Sequence, residues 1–249
     1  MEINMNPEQL EELKSSAEEG FARAQFNLAM CYHHGAGMEK DFDKAMEWYL
    51  RSAEQGNLNA SYTLAMMYYE GNEVPQDMEK AVKYFRIAAE KGHTRARHYL
   101  AECYTFGQGC EQDFAEAAKW YELAALKGHV ESQINLAICY SEGLGVEQDF
   151  AEAIRWYREA AEKEHPAAQF NLGLCYLDGE GVEEDPKEAL NWFLKAADQG
   201  MADAQFVMGQ MCQQGLGITQ DDQMAREWYK KAADQGHEEA ADALKALSE

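Results

Sequence analysis

The chain has 249 residues, 45 of them acidic and 22 basic, for a formal net charge of −23. Such a field repels polyanions, which excludes nucleic acid and anionic membrane as the main ligand. No run of about 18 apolar residues occurs, and the first 20 residues are acidic; the sequence therefore predicts neither a membrane span nor a secretory leader.

Residues 6–20 read as the second half of a helical unit, with Pro7 near its start and Leu13, Ala17 and Gly20 in slots later filled by Tyr49, Ala53 and Gly56. From residue 21 the chain repeats itself every 36 residues without a gap. Ala24, Ala60, Ala96, Ala168, Ala204 and Ala240, with Ser132 in the remaining place, form one ladder, and Leu28, Leu64, Leu100, Leu136, Leu172, Met208 and Leu244 form another. A unit of this size cannot bury its apolar face alone and must stack on copies of itself.

Each unit predicts two helices. In the first, Ala22 to His34, the residues Ala24, Leu28, Cys31 and Tyr32 lie three and four apart on one face. Gly35 ends it, since a glycine past a helix takes the left-handed conformation at little cost. The second helix starts at Asp41, whose carboxylate can accept first-turn amides. Asp113 to Glu116, Asp149 to Glu152 and Asp185 to Glu188 have the spacing of a capping box. Pro186 falls at a first helical position, where its missing donor is harmless. Ala45, Trp48, Tyr49 and Ala53 trace the buried stripe. At Glu164 the usual helix-ending glycine is missing and His165-Pro166 follows, which predicts a slightly altered angle between the fourth and fifth units. Ala240 and Leu244 open one more first helix.

This pattern, seen in Ala-Gln-Phe-Asn-Leu-Ala at 24–29, Gly-Leu-Gly-Val at 143–146 and Ala-Ile-Arg-Trp-Tyr-Arg-Glu-Ala-Ala at 153–161, closely resembles the Sel1-like repeat family, relatives of the tetratricopeptide repeats. The resemblance implies an all-α fold, a right-handed α/α superhelical solenoid of helix-turn-helix units with the first helices lining its concave side. It also implies work as an adaptor or scaffold in bacterial and eukaryotic complexes. The sequence is read as a single repeat domain over 1–249, with an N-terminal half-repeat cap at 1–20, six repeats at 21–236 and a C-terminal capping helix at 237–249. Half-repeat ends of this kind keep such an array soluble and discrete.

Candidate binding residues are the first-helix positions not used in packing. One slot runs Met30, Met66, Glu102, Ile138, Leu174 and Gln210, and another His34, Glu70, Phe106, Glu142, Asp178 and Gln214. Apolar side chains at solvent-reachable, facing positions invite a peptide or helix. The slot holding Phe26 and His98 admits packing as well as binding. Asn27, Asn135 and Asn171 are placed like the asparagines that contact ligand backbone in tetratricopeptide relatives, although Thr63, Tyr99 and Val207 break that ladder. Repeat three is irregular, with Arg95, Arg97, His98, Glu102, Phe106 and Cys110; a specificity element and simple drift both account for it.

Charge is uneven. Residues 129–164 and 165–200 each carry net −5, against −1 for each of the three preceding 36-residue segments. Glu147, Glu180, Glu183, Glu184 and Asp185, with Glu142 nearby, concentrate around two inter-helix loops. They read either as a solvated face or as an acidic edge that steers a basic partner.

Signals for chemistry are weak. His93, His129, His165 and His237 share one slot and read as scaffold, and no cysteine–histidine spacing suits a metal. Cys31, Cys103, Cys139 and Cys175 share a slot with Met67 and Met211 and read, with Cys110, as small apolar fillers. The family's cysteine-rich branch, for which β-lactam binding or hydrolysis has been proposed, pairs cysteines between helices; the expected slots, such as Ala24 and Ala53, are alanine, and no Ser-x-x-Lys occurs. The sequence thus predicts a cytoplasmic, bacterial, noncatalytic scaffold that needs no cofactor or metal and binds a protein or peptide, with basic partners favoured. An immunity or inhibitor protein that occludes a basic toxin or enzyme is the alternative, and an enzyme of the β-lactam-binding type comes third.

Overall fold

A computed structural model describes residues 6–247. Of the predicted caps, residues 1–5 of the first and 248–249 of the second lie outside the described residues. The described chain is all-α, and its helices pack in consecutive pairs within two compact units, one ending at Lys127 and the other starting at Gly128.

The first unit holds α1 (Pro7–Glu18), α2 (Ala22–His34), α3 (Phe42–Glu54), α4 (Leu58–Glu70), α5 (Met78–Glu90), α6 (Thr94–Phe106) and α7 (Phe114–Ala125). The second holds α8 (Val130–Glu142), α9 (Phe150–Ala161), α10 (Pro166–Asp178), α11 (Pro186–Asp198), α12 (Ala202–Gln214), α13 (Asp222–Ala233) and α14 (Glu238–Ala246). The even-numbered helices are the first helices of the repeats. Within each unit they pack on the second helix of their own repeat and on that of the repeat before. The leucine ladder from Leu28 to Met208 and the cysteine–methionine slot are buried, Leu244 at the end of the ladder is half-buried, and Tyr49, Phe85, Phe193 and Tyr229 are sealed between them. These aromatics supply the large apolar areas that hold one pair on the next.

The turn between the two helices is built as the glycines require: Gly35, Gly71, Gly107, Gly143, Gly179 and Gly215 are all left-handed at φ 65–74°. The aspartates cap α3, α5, α7, α9, α11 and α13 as expected, but the reciprocal half of the predicted capping boxes does not form. The amide of each aspartate already donates back across the turn, Asp113 to the Tyr104 carbonyl at 3.0 Å and Asp185 to that of Tyr176 at 2.8 Å. The glutamates turn elsewhere: Glu116 accepts from Trp120 Nε1, Glu188 from Trp192 Nε1, and Glu152 from Arg155. A complete capping box occurs instead at Asn6 and Gln9, where the Asn6 amide donates to Gln9 Oε1 at 3.2 Å and Asn6 Oδ1 accepts from the Gln9 amide at 2.8 Å.

The recurring histidines are N-caps. His93 Nδ1 accepts from the Ala96 amide at 3.1 Å, His129 from Ser132 at 3.3 Å and His237 from Ala240 at 3.3 Å, while Asn57 does the same work at its slot. His165 Nδ1 is buried without a hydrogen-bond partner. Just before it Glu164 takes φ 63°, the left-handed conformation of the glycines at the equivalent positions. The helix-ending turn is thus kept there despite the missing glycine, at a cost of roughly 1–2 kcal/mol for a side chain in that region.

A buried glutamine links α2, α10 and α12 to the helices on either side. Gln205 donates to the Ala197 carbonyl at the end of α11 and accepts from Gln235 beyond α13 at 2.8 Å. Gln25 and Gln169 repeat this, through Ala17 and Gln55, and through Ala161 and Gln199. In repeat three Arg97 occupies the slot and reaches the Ala89 and Leu123 carbonyls of α5 and α7.

Replacing Gln205 with alanine removes both hydrogen bonds of a buried amide and strands Gln235, so urea unfolding should show a loss of about 1–3 kcal/mol. Gln235→Ala added to Gln205→Ala should cost little more, because the two share one interaction. A second expectation concerns pH. Burial, with Arg95 nearby, lowers the pKa of His93, and only its neutral ring can accept the cap bond. Protonation therefore favours the unfolded chain: the cap's contribution is full above the unfolded value near 6.5 and is lost as pH falls through it toward the lower folded value. His93→Asn, which keeps the acceptor without the titration, should lose less stability than the parent between pH 7.5 and pH 5.

Candidate functional site

The open face of the first helices is set by what packing leaves over. On each helix the slots of Leu28 and Cys31 are buried, whereas those of Asn27, Met30 and His34 are half-buried or exposed in every repeat. These three slots lie three and four residues apart and form one strip along the helix.

In the first unit the strip carries Asn27, Met30 and His34 on α2, Thr63, Met66 and Glu70 on α4, and Tyr99, Glu102 and Phe106 on α6. In the second it carries Asn135, Ile138 and Glu142 on α8, Asn171, Leu174 and Asp178 on α10, and Val207, Gln210 and Gln214 on α12. His34, Glu70, Phe106, Glu142 and Asp178 are exposed and are the last residues of their helices. Met66, Glu102, Ile138 and Asn135 are half-buried. Met30 and Leu174 are half-buried too, but both pack against buried clusters, and the Met30 sulfur accepts from the Tyr49 hydroxyl at 3.0 Å. Asn171 lies within hydrogen-bonding reach of the Tyr157 hydroxyl.

His98 departs from its expected place. It is only 9% exposed, packs on Tyr99 and Tyr121, and faces Glu102 Oε1 at 3.6 Å. Its slot is the packing one, shared with the half-buried Phe26, Phe170 and Phe206 and the buried Ile134. His98 therefore supports the strip from beneath instead of lining it.

Sequence reasoning missed a polar cluster under the strip in repeat one. His33 is buried, with Nε2 2.7 Å from Glu73 of the next repeat and Nδ1 3.1 Å from Tyr49, and His34 stacks on it at 4.5 Å. The adjacent histidines were visible, but their partners lie 16 and 40 residues away.

The acidic residues sit where the loops present them. Glu147, Glu180, Glu183, Glu184 and Asp185 are all exposed. Asp185 is also the cap of α11, accepting from the Lys187 and Glu188 amides.

The cysteines are free thiols, five of them buried and Cys110 half-buried. Burial pushes the thiol of Cys103 up to about 12 and those of Cys139 and Cys175 up to about 11, and it raises Cys110 as well. Such groups hold little thiolate near neutrality. Among the described residues no three His, Cys, Asp or Glu side chains converge as metal ligands, and no helix is long and apolar enough to cross a membrane.

Stacked helix pairs of fixed length with an unconsumed strip on the first helices define an α/α repeat protein. The Sel1 repeat profile matches six consecutive segments, 22–57, 58–93, 94–129, 130–165, 166–201 and 202–237, and the chain belongs to the Sel1 repeat family. It is similar to a protective antigen present in uropathogenic Escherichia coli strains that displays this fold, with 37% identity and a TM-score of 0.87 over 98% of this chain. The chain spans about half the length of that protein, 52%. It is also similar to a Sel1 repeat protein from Oxalobacter formigenes, with 31% identity and a TM-score of 0.72, covering 92% of this chain and 88% of the other. No curated protein matches the sequence.

Proposed function

We propose that this protein is a noncatalytic interaction scaffold that docks a protein or peptide on the open strip of its first helices and favours basic segments. The observation that carries this reading is the strip itself: its slots stay open in every repeat while the adjacent slots are buried. Side chains there vary from Met to Glu to Phe, as suits a surface that reads a partner and not one that holds the fold.

Two features support a basic partner. Glu70, Glu142 and Asp178 are the last residues of α4, α8 and α10, where the helix dipole disfavours negative charge. None of those helices has a basic residue in its last turn, so a cation from a partner relieves the mismatch. The exposed acidic loops add a field that speeds encounter with such a partner. Free thiols fit a reducing compartment.

Met66→Glu and Ile138→Glu, made separately, place charge on the strip without touching the leucine ladder. Each should weaken binding to a partner recovered by co-purification and mass spectrometry by about 2 kcal/mol or more, the scale of an interface hot spot, with thermal unfolding little changed. Leu136→Ala, two residues from Ile138 but fully buried, should instead cost about 2–5 kcal/mol of stability. If the two glutamate variants melt as Leu136→Ala does, the strip is core and the reading fails.

A further inference from the structure

We propose that the cavity between α1, α2 and the loop leading into α3 binds a small phosphomonoester, whose phosphate group is held by Lys14, Lys40, Lys44 and the Tyr32 hydroxyl. This site is separate from the open strip of the first helices and does not depend on the docking reading.

The cavity has a volume of about 310 Å³, at the small end of the range for small-molecule sites. Lys14 of α1, Lys40 of the loop and Lys44 of α3 all line it, together with Tyr32 of α2. Lys44 Nζ stands 5.4 Å from the centre of the Tyr32 ring. The repeat register shows that this space is closed elsewhere. In the places of Lys14 and Tyr32, the later repeats set Arg86 against Tyr104 and Arg158 against Tyr176, with the guanidinium donating to the tyrosine hydroxyl at 2.6 Å and 2.9 Å. In repeat one Lys14 turns to Glu11 at 2.7 Å instead, and no described residue hydrogen-bonds the Tyr32 hydroxyl. A cation and a hydroxyl that the array joins directly elsewhere thus line one cavity unjoined.

The other two lysines are departures of the same kind. The slot of Lys40 is otherwise Gln76, Gln112, Gln148, Glu184 or Gln220, and that of Lys44 is Lys80, Glu116, Glu152, Glu188 or Met224. Gln76, Gln112 and Gln148 spend their amides on the carbonyls of Tyr69, Thr105 and Ser141, whereas Lys40 enters no ion pair among the described residues. Repeat one alone combines a basic residue in the Lys14 slot with one in the Lys44 slot. Two carboxylates also line the cavity. Asp41 is committed, capping α3 through the Lys44 amide at 3.0 Å and pairing with Lys44 Nζ at 2.9 Å, and Glu39 is exposed. Exposed pairs such as these contribute little, and an ammonium carries three donors, so Lys14 and Lys44 each keep donors for a ligand. A phosphomonoester brings three strong acceptor oxygens and about two negative charges near neutrality. That set matches three ammonium groups and a phenol better than a single carboxylate does. Met38 and the Tyr32 ring wall the rest of the cavity, where a short carbon chain fits.

The test is isothermal titration calorimetry of the full chain with glycerol 3-phosphate, inorganic phosphate, glycerate and glycerol. Glycerol 3-phosphate should bind, inorganic phosphate and glycerate each at least tenfold more weakly, and glycerol not at all. Lys40→Gln with Lys44→Glu installs residues that the same slots carry as Gln112 and Glu116 in repeat three, so thermal unfolding should hold while affinity for glycerol 3-phosphate falls at least tenfold. Tyr32→Phe should lower it several-fold. Lys83→Gln with Lys127→Gln, which removes two exposed lysines of the same unit outside the cavity, should leave it unchanged. Inorganic phosphate bound as tightly as glycerol 3-phosphate overturns the monoester as ligand, and glycerate bound as tightly overturns the choice of phosphate. No binding of glycerol 3-phosphate at millimolar concentration, binding that survives the Lys40 and Lys44 changes, or an equal loss in the Lys83 and Lys127 variant overturns the site itself.

Discussion

The buried glutamine that joins three helices is the contact on which the packing of each unit turns. A first helix flanked by two second helices buries its polar backbone ends as well as its apolar face, and the carbonyls at the end of the preceding helix lack intrahelical donors. Gln25, Gln169 and Gln205 supply a donor to that carbonyl and offer their own oxygen to a glutamine just past the second helix of their own repeat. An apolar residue would pack as well but would fix neither rotation nor height of one helix against the next. Arg97 shows that the requirement is chemical and not a matter of residue type: it spans the same two neighbours with its guanidinium. The irregularity of repeat three, seen from this slot, is a substitution that keeps the clamp.

A second rule couples the two helices inside a repeat. The second helix carries either tyrosine or phenylalanine at its buried ring, and the facing first-helix residue follows that choice. Tyr49, Tyr121, Tyr157 and Tyr229 meet His33, Thr105, Ser141 and Gln213. Where the ring is Phe85 or Phe193 the facing residue is Tyr69, edge-on to the ring, or Leu177, packed on the cluster. A buried hydroxyl without a partner costs about 1–3 kcal/mol, so the pairing is enforced. Variation in this slot therefore answers to the core, while the residues one position later, His34, Glu70, Phe106, Glu142 and Asp178, stand exposed at the ends of their helices.

That distinction marks what the sequence alone conveys. The period, the bounds Ala22–His34 of the first helix, the left-handed glycines and the aspartate caps were legible, because each depends on neighbours within a few residues. Ala17 and Ala240 at the two ends were legible because they continue the ladders, and both are fully buried. The capping boxes were misjudged since the aspartate amide is claimed by a carbonyl nine residues back, across the turn. His98 was misplaced because its slot tolerates either an aromatic packed on the core or an open side chain, and only the position of Tyr121 decides. The shared histidine slot was read correctly as scaffold without its cause, the imidazole cap. At Glu164 the missing glycine does not abolish the local turn, because the backbone there takes φ 63° all the same.

The loop of repeat two shows how a break in one slot is answered in another. At Gly109, Gly181 and Gly217 the second loop glycine lies so close to the start of the preceding second helix that no side chain fits; a Cβ on Gly181 would stand 2.7 Å from the Phe150 backbone. Repeat two has Glu73 in that place, which forbids the close approach, and Glu73 instead reaches back to His33 at 2.7 Å. His33 occurs only in the repeat that precedes Glu73, so a polar link replaces a backbone contact at one junction. The same logic separates fold from function along the strip. A departure that serves the fold finds its complement elsewhere in the chain, as Glu73 finds His33 and Arg97 finds two carbonyls. The carboxylates that end α4, α8 and α10 are set against their own helix dipoles, with no basic residue in those last turns to offset them.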